Sequence, residues 1–150
     1  MNKTLFWLAS FLGGGFLFFL FSAWLVGASC RYELSIDLEE RNTFLTCYRG
    51  KVVLLHTKKD ENGQLSSKWK VEARQLKIGS QVVFFVYSRT RLSGNGNDDY
   101  NDRYNQISDG YKFLFYYFIR KNDALYIFQE FPEPNVYQAR VKGKLDFFDN

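Results

Sequence analysis

An uninterrupted stretch of 27 uncharged residues, from Thr4 to Cys30, constrains the fold of this chain more than any other feature. A bilayer core requires roughly 20 apolar residues in a helix, whereas the apolar core of a signal peptide usually has about 7 to 15. Trp7 and Trp24 are 17 positions apart, about 25 Å along a helix, which suits one aromatic ring at each membrane interface. The length therefore predicts a transmembrane helix that contacts the lipid bilayer through residues 5–28.

Two other interpretations of this stretch stay open. A lipoprotein leader would end at Cys30, but it needs a large aliphatic residue three positions earlier, where this chain has Gly27. An ordinary signal peptidase could cut after Ala28 or Ser29, because both residues are small. The length of the stretch favours the retained helix over both.

The charges that flank the span predict its orientation. Lys3 precedes the span, whereas Arg31 is followed closely by acidic residues such as Glu33. We expect residues 1–30 to form a short cytoplasmic N-terminus and the transmembrane helix, and residues 31–150 to form a periplasmic domain. The expected location is a bacterial inner membrane, crossed once.

The 120 residues after the span carry 19 basic and 16 acidic side chains, a net charge of only +3. The basic residues are scattered, whereas a nucleic-acid surface shows a basic stripe or patch. We therefore expect no nucleic-acid partner.

The chain has two cysteines, Cys30 and Cys47, both near the start of the exported domain. In an oxidising compartment an isolated pair indicates a disulfide, and closing a loop of this length contributes roughly 3 kcal/mol in the entropic model. The alternative is that Cys30 lies in the membrane interface and never meets Cys47. Neither cysteine has the spacing or the histidine neighbours of a zinc site.

Period-two patterns predict the fold of the exported domain. Residues 32–39 alternate apolar and polar side chains, as a strand with one wet face does. A change of phase at Gln75, towards Leu76 and Ile78, predicts a bulge in the strand that contains Trp69. The segments with strand composition are 32–40, 43–48, 51–57, 68–78, 81–92, 111–121, 124–131 and 136–148, and the polar stretch 93–110 predicts a long loop.

No segment after residue 31 sustains a helical apolar period. The pattern therefore predicts a mostly β domain of seven or eight antiparallel strands in a meander. We expect a small barrel or a strongly curved sheet, because closure removes exposed edges, with a β-sandwich as the alternative.

Catalytic and metal-binding patterns are absent from the sequence. His56 is the only histidine and lies within an apolar strand segment, which is typical of a structural histidine. Neighbouring acidic residues such as Asp98 and Asp99 fall in polar turns and seldom converge on one reacting centre. We expect no enzyme activity, no cofactor and no metal site.

Two strands near the C-terminus carry large rings on both faces. One face should fill the core, so the other requires a ligand, another polypeptide or a covering segment of the same chain. The candidate surface for a partner or ligand consists of Phe113, Phe115, Tyr117, Tyr126 and Phe128.

The layout resembles the FidL-like membrane proteins and, more distantly, the ToxS-type partners of membrane-bound winged-helix regulators. The resemblance rests on the start "MNKTLFWLASF", the single span, Cys30 just outside it, the segment "TFLTCYRGKVVLL" and the aromatic strand pair. It implies a lipocalin-like periplasmic barrel that pairs with the periplasmic tail of a regulator, and in some such pairs binds a bile salt.

The features predict a membrane-anchored periplasmic accessory protein that binds and stabilises or modulates a membrane partner, and the resemblance implies that this partner is a ToxR-like transcriptional regulator. The alternative is a lipocalin-like binder or sensor of a small amphiphile, such as a bile salt or a fatty acid.

Overall fold

One long helix and eight antiparallel strands make up the part of the chain that the computed structural model describes, residues 3–60, 62–93 and 110–149. The helix α1 covers Lys3–Ala28. The strands are β1 (Arg31–Asp37), β2 (Arg41–Tyr48), β3 (Lys51–Lys59), β4 (Leu65–Ile78), β5 (Gln81–Ser93), β6 (Phe113–Lys121), β7 (Ala124–Gln129) and β8 (Asn135–Lys144).

The strands form a closed up-and-down barrel. Each strand pairs antiparallel with the next one in the chain, and β1 also pairs with β8. Leu34 of β1 is thus opposite Leu45 of β2 on one side and Val141 of β8 on the other. Closure confirms the predicted mostly β fold and the small antiparallel, lipocalin-like barrel, and the β-sandwich alternative is wrong.

The barrel has two ends, which we name by their position relative to α1. The helix-side end carries the end of α1, the β2–β3 and β4–β5 turns, and residues 145–149. The far end carries the β1–β2, β3–β4 and β7–β8 turns. At the helix-side end, β2 and β3 are joined by Arg49 and Gly50, whose positive φ angles of 50° and 77° suit a two-residue hairpin.

Alternate side chains of the strands fill the interior. In β1, Tyr32 and Leu34 are buried while Arg31 and Glu33 are exposed, which confirms the period-two pattern for the first half of the predicted segment 32–39; the strand ends at Asp37, and Leu38 is exposed. Phe84 is the largest fully buried side chain, and its ring packs against the rings of Tyr116 and Phe118. The core therefore runs across the barrel from β1 to β6.

The bulge predicted at Gln75 is wrong. The β4–β5 pairing shifts register between Lys68 and Trp69 and between Glu72 and Ala73, and it runs regularly from Ala73 to Ile78. Strand alternation therefore continues, so that Gln75 and Lys77 point inwards and are buried. The interior accepts these two polar side chains because it supplies hydrogen-bonding and charged partners for them.

The last strand ends at Lys144, although the sequence predicted a strand over residues 136–148. Gly143 just before this point has a φ of +97°, and a Cβ atom there would lie 2.2 Å from the carbonyl oxygen of Arg31. Residues 145–149 then cross the helix-side end of the barrel. The predicted polar loop 93–110 falls almost entirely on residues 94–109, which lie outside the described residues.

Candidate functional site

The helix α1 divides into an exposed part and a packed part. It is long and apolar enough to cross a membrane. The 19 residues from Lys3 to Phe21 are all exposed, whereas Ala23 and Gly27 are buried against the barrel. At 1.5 Å per residue, the exposed part is about 28 Å long, close to the thickness of a bilayer core.

The packed part of α1 is joined closely to strand β4. A Cβ atom on Gly27 would lie 2.2 Å from the carbonyl oxygen of Gln75, so only glycine allows the helix to approach this strand. Ala28 reaches the β2–β3 turn, where its Cα would lie 3.1 Å from a Cβ atom on Gly50. The end of the helix is therefore part of the barrel base, a role for Gly27 that sequence reasoning missed.

Cys30, two residues after the end of α1, forms a disulfide with Cys47. Their Cα atoms are 5.7 Å apart, and both side chains are buried. The backbone N–H of Gly50 also donates to Sγ of Cys30 at 3.2 Å. Because the sulfur of Cys30 is bonded to Cys47, it is not available for the thioether of a lipoprotein.

A buried polar cluster lies beside the disulfide. The hydroxyl of Tyr32 donates to Oε1 of Gln75 at 2.7 Å, and Sγ of Cys47 is 3.6 Å from the same oxygen. Burial raises the pKa of Tyr32 far above its usual value, so its phenol keeps the proton that it donates. Nε2 of Gln75 has no hydrogen-bond partner among the described residues.

Two ion pairs tie residues 145–149 to the barrel wall. The ammonium of Lys77 pairs with the carboxylate of Asp146, and both side chains are more than nine-tenths buried. Nη1 of Arg120 is 2.5 Å from Oδ2 of Asp149. The regular alternation of Val71, Ala73, Gln75 and Lys77 was the signal for these inward polar positions, and the phase change assumed at Gln75 concealed it.

The rings predicted as a partner or ligand surface lie on the outside of the barrel. Phe113, Phe115, Tyr117 and Phe128 are exposed and Tyr126 is half-buried, while Leu114, Tyr116 and Phe118 of the same strand β6 face the interior. Phe115 is the most exposed of the five, at 60%. The sequence predicted these rings as a surface for a partner or for a ligand. Because all five side chains lie on the outside of the barrel, they do not line a ligand site in its interior.

These rings belong to a larger continuous surface, which we call the aromatic wall. Strand pairing places Phe113 beside Phe85, Tyr117 beside Phe128, and Phe128 beside Val136. The ring centroids of Phe85 and Phe113 are 5.2 Å apart, and those of Tyr117 and Phe128 are 6.2 Å apart. The aromatic wall consists of Phe85, Tyr87, Phe113, Phe115, Tyr117, Ile119, Tyr126, Phe128 and Val136.

The outer surface of β3 and β4 differs from the aromatic wall because charged side chains meet there. Lys51 and Lys70 both approach Oε1 of Glu72 at 3.3 Å. Their hydrogen bonds, first that from Lys51 and then that from Lys70, lower the pKa of the Glu72 carboxyl. This is the ordinary outer face of a solvated sheet, and the aromatic wall departs from it.

A small cavity opens inside the barrel towards the far end, with a volume of about 60 Å³. Its lining is mainly apolar, including Ile36 and Leu54, and His56 lies at its edge with Nδ1 2.9 Å from the hydroxyl of Thr43. Pockets that enclose drug-sized ligands usually measure roughly 300 to 1,000 Å³. In this conformation the cavity is too small for a whole amphiphile.

Comparison of the chain with known proteins gave no match to a family model, to a curated protein or to a solved structure. Among the described residues, no group of three or more His, Cys, Asp or Glu side chains could hold a metal ion.

Proposed function

We propose that the protein is a membrane-anchored periplasmic accessory protein whose barrel binds and stabilises or modulates a membrane partner. The expected partner is a ToxR-like transcriptional regulator, as the resemblance to FidL-like and ToxS-like proteins implies. The observation that carries the proposal is the aromatic wall, because a contiguous apolar patch of this kind on a small barrel is typical of a protein interface.

The packed end of α1 supports a retained anchor. Cleavage after Ala28 or Ser29 would remove Gly27 and Ala23 from their sites against β4 and uncover that part of the barrel base. The disulfide of Cys30 removes the sulfur that a lipoprotein would need. We infer a single span, with Lys3 on the cytoplasmic side and the disulfide in an oxidising compartment, the periplasm.

The position of the aromatic wall supports a partner that is also at the membrane. A nine-residue strand such as β6 is about 30 Å long, so every ring on it stays within a short distance of a bilayer crossed by α1. A partner fixed in the same membrane meets this surface at a high effective concentration.

Site-specific photocrosslinking tests the partner directly. We would place a benzoylphenylalanine at Phe115 and, as a matched control on the charged surface, at Lys51. The expected result is an adduct with a membrane-anchored winged-helix protein from position 115 only, and a lower level of that protein in cells without this chain. Equal crosslinking from both positions, or an unchanged level of every such regulator, would contradict the proposal.

A fusion of alkaline phosphatase to the C-terminus tests the topology separately. We expect high phosphatase activity and a full-length chain that retains α1 in the membrane fraction. Low activity would place the barrel in the cytoplasm and contradict the periplasmic assignment.

A second candidate function is the binding of a small amphiphile such as a bile salt or a fatty acid. The apolar cavity at the far end favours it, since a ligand could enlarge this cavity by separating the strands around Ile36 and Leu54. We would titrate the detergent-free chain in nanodiscs with cholate and with palmitate. A saturable rise in the unfolding temperature that the cavity-filling variant Ile36→Phe abolishes would support this function, and its absence would exclude it.

A further inference from the structure

We propose that the helix-side end of the barrel is itself a membrane-binding surface, in which Phe147 and Phe148 enter the bilayer interface and a cluster of basic side chains faces anionic headgroups. The inference rests on the retained membrane helix of the proposed function. It adds a second contact with the bilayer, made by the barrel.

The level of these two rings relative to α1 is the first support. A cleft of about 540 Å³ between α1 and the barrel base is lined by Phe19 and Val26 on the helix and by Phe148 on the opposite side. Phe148 is therefore level with the last turns of the helix, where Trp24 marks the expected interface. The continuously exposed part of α1 ends at Phe21, about one helical turn before Trp24.

The way in which the two rings are held is the second support. Phe147 and Phe148 are 71% and 78% exposed, among the most exposed large apolar side chains outside α1. The turn that presents them is fixed, because Asp146 pairs with Lys77 and its Oδ1 accepts from the N–H of Phe148 at 2.6 Å. A fixed turn that directs two aromatic rings away from the protein suits an interface where rings are favoured over water.

The charge around the helix end is the third support. Arg31, Arg49, Arg74 and Lys144, which we call the basic collar, are all exposed. The guanidinium groups of Arg31 and Arg49 lie 5.8 and 5.4 Å from the ring centre of Tyr48, and Nη1 of Arg74 donates to the carbonyl of Arg49. Lys144 is opposite Arg31 in the strand register. None of the four pairs with a carboxylate among the described residues, so all are available to anionic lipid.

The far end has no such one-sided cluster. Its charged residues in the described part of the chain include the exposed Asp37, Glu39, Glu40, Asp60, Glu130 and Glu133, but also the half-buried Arg41, Lys58, Lys59, Arg89 and Arg91 and the exposed Lys112. Charges of both signs are mixed there, so the basic collar at the helix-side end is the one-sided basic surface that an anionic bilayer would attract.

Depth-dependent quenching in nanodiscs tests this contact on the full chain. With the native disulfide intact, the variant Phe148→Cys offers one reactive thiol for an environment-sensitive dye. Matched single-thiol variants are Leu38→Cys at the far end and Phe18→Cys within the exposed part of α1. The nanodiscs contain phosphatidylcholine and phosphatidylglycerol, with or without lipids that carry a nitroxide near the headgroup.

We expect the dye at position 148 to be quenched at least about threefold more than the dye at position 38, as for a side chain buried at interface depth. Quenching at 18 together with equal quenching at 148 and 38 would overturn the second contact and leave the anchor intact. Absence of quenching at 18 would overturn both the anchor and this inference.

Removal of the collar charges tests the electrostatic half of the proposal. The triple variant Arg49→Gln, Arg74→Gln, Lys144→Gln should lose at least half of the quenching at position 148 in anionic nanodiscs. The far-end control Lys112→Gln should not change it. Unchanged quenching in the triple variant, or equal quenching without phosphatidylglycerol, would show that the collar does not bind anionic headgroups.

Discussion

The helix-side end and the far end of the barrel differ in how their interiors are filled. At the helix-side end, the disulfide, the Tyr32–Gln75 hydrogen bond and the Lys77–Asp146 ion pair lie within one closely packed region, and the end of α1 packs against it. At the far end, mainly apolar side chains surround a cavity of about 60 Å³. The disulfide and the buried polar contacts therefore lie at the end of the barrel that packs against the apolar helix α1.

This difference suits an anchored protein. If α1 crosses a membrane as proposed, motion of the barrel relative to the bilayer would act first on the joint between α1 and β4, and the disulfide and ion pair next to that joint would help to keep the aromatic wall in one orientation. The far end has no such requirement. Substitutions at each end in turn test this difference.

The largest effect is expected from Lys77→Met, which leaves the buried carboxylate of Asp146 without its cation. We expect a loss of about 3–5 kcal/mol in the free energy of unfolding. Urea unfolding of the full chain in detergent micelles, followed by far-UV circular dichroism, measures it.

Two variants control for this experiment. The double variant Lys77→Met, Asp146→Asn removes both charges and should recover part of the loss, while Lys51→Met, at an exposed ion pair, should cost far less. If Lys77→Met and Lys51→Met destabilise equally, the buried pair is not what holds the helix-side end.

Removal of the disulfide should have the next largest effect. The double variant Cys30→Ala, Cys47→Ala should lose about 3 kcal/mol, mainly because the unfolded chain gains freedom. Urea unfolding under non-reducing conditions measures this loss. Dithiothreitol should shift the wild-type transition to that of the variant and leave the variant unchanged; a transition insensitive to reductant would contradict the prediction.

The variant Tyr32→Phe should cost about 1–3 kcal/mol, because it leaves Oε1 of Gln75 buried without the hydroxyl that donates to it. It should also change the response to alkali. Burial raises the pKa of Tyr32, so above about pH 10 the unfolded chain loses this proton while the folded chain keeps it, and stability falls as the pH rises. Unfolding curves at pH 8 and above pH 10 should show a smaller decline for Tyr32→Phe than for the wild type.

The sequence predicted the barrel but not the polar contacts that distinguish its two ends. Strand alternation and turn residues are local signals, and they were enough for β1 and for closure of the sheet. Alternation along β4 indicates that Gln75 and Lys77 point inwards, but the partners that allow their burial, Tyr32 and Asp146, are 43 and 69 positions away and leave no local signal. Likewise, rings on both faces of β6 were visible in the sequence, but only barrel closure decides which face is outside.

The smallest effect is expected at the far end, where added atoms can occupy the existing cavity. Ile36→Phe should change the free energy of unfolding by less than about 1 kcal/mol, whereas Val52→Phe, at a fully buried position next to Cys47 in the β2–β3 register, should cost about 1–3 kcal/mol. The same urea experiment measures both, and hydrogen exchange of the strand amides locates any loosening. Because the two substitutions introduce the same ring, a difference between them reports the space at each end. Equal costs would mean that the far end is packed as tightly as the helix-side end, and the contrast between the two ends would then rest on the polar contacts alone.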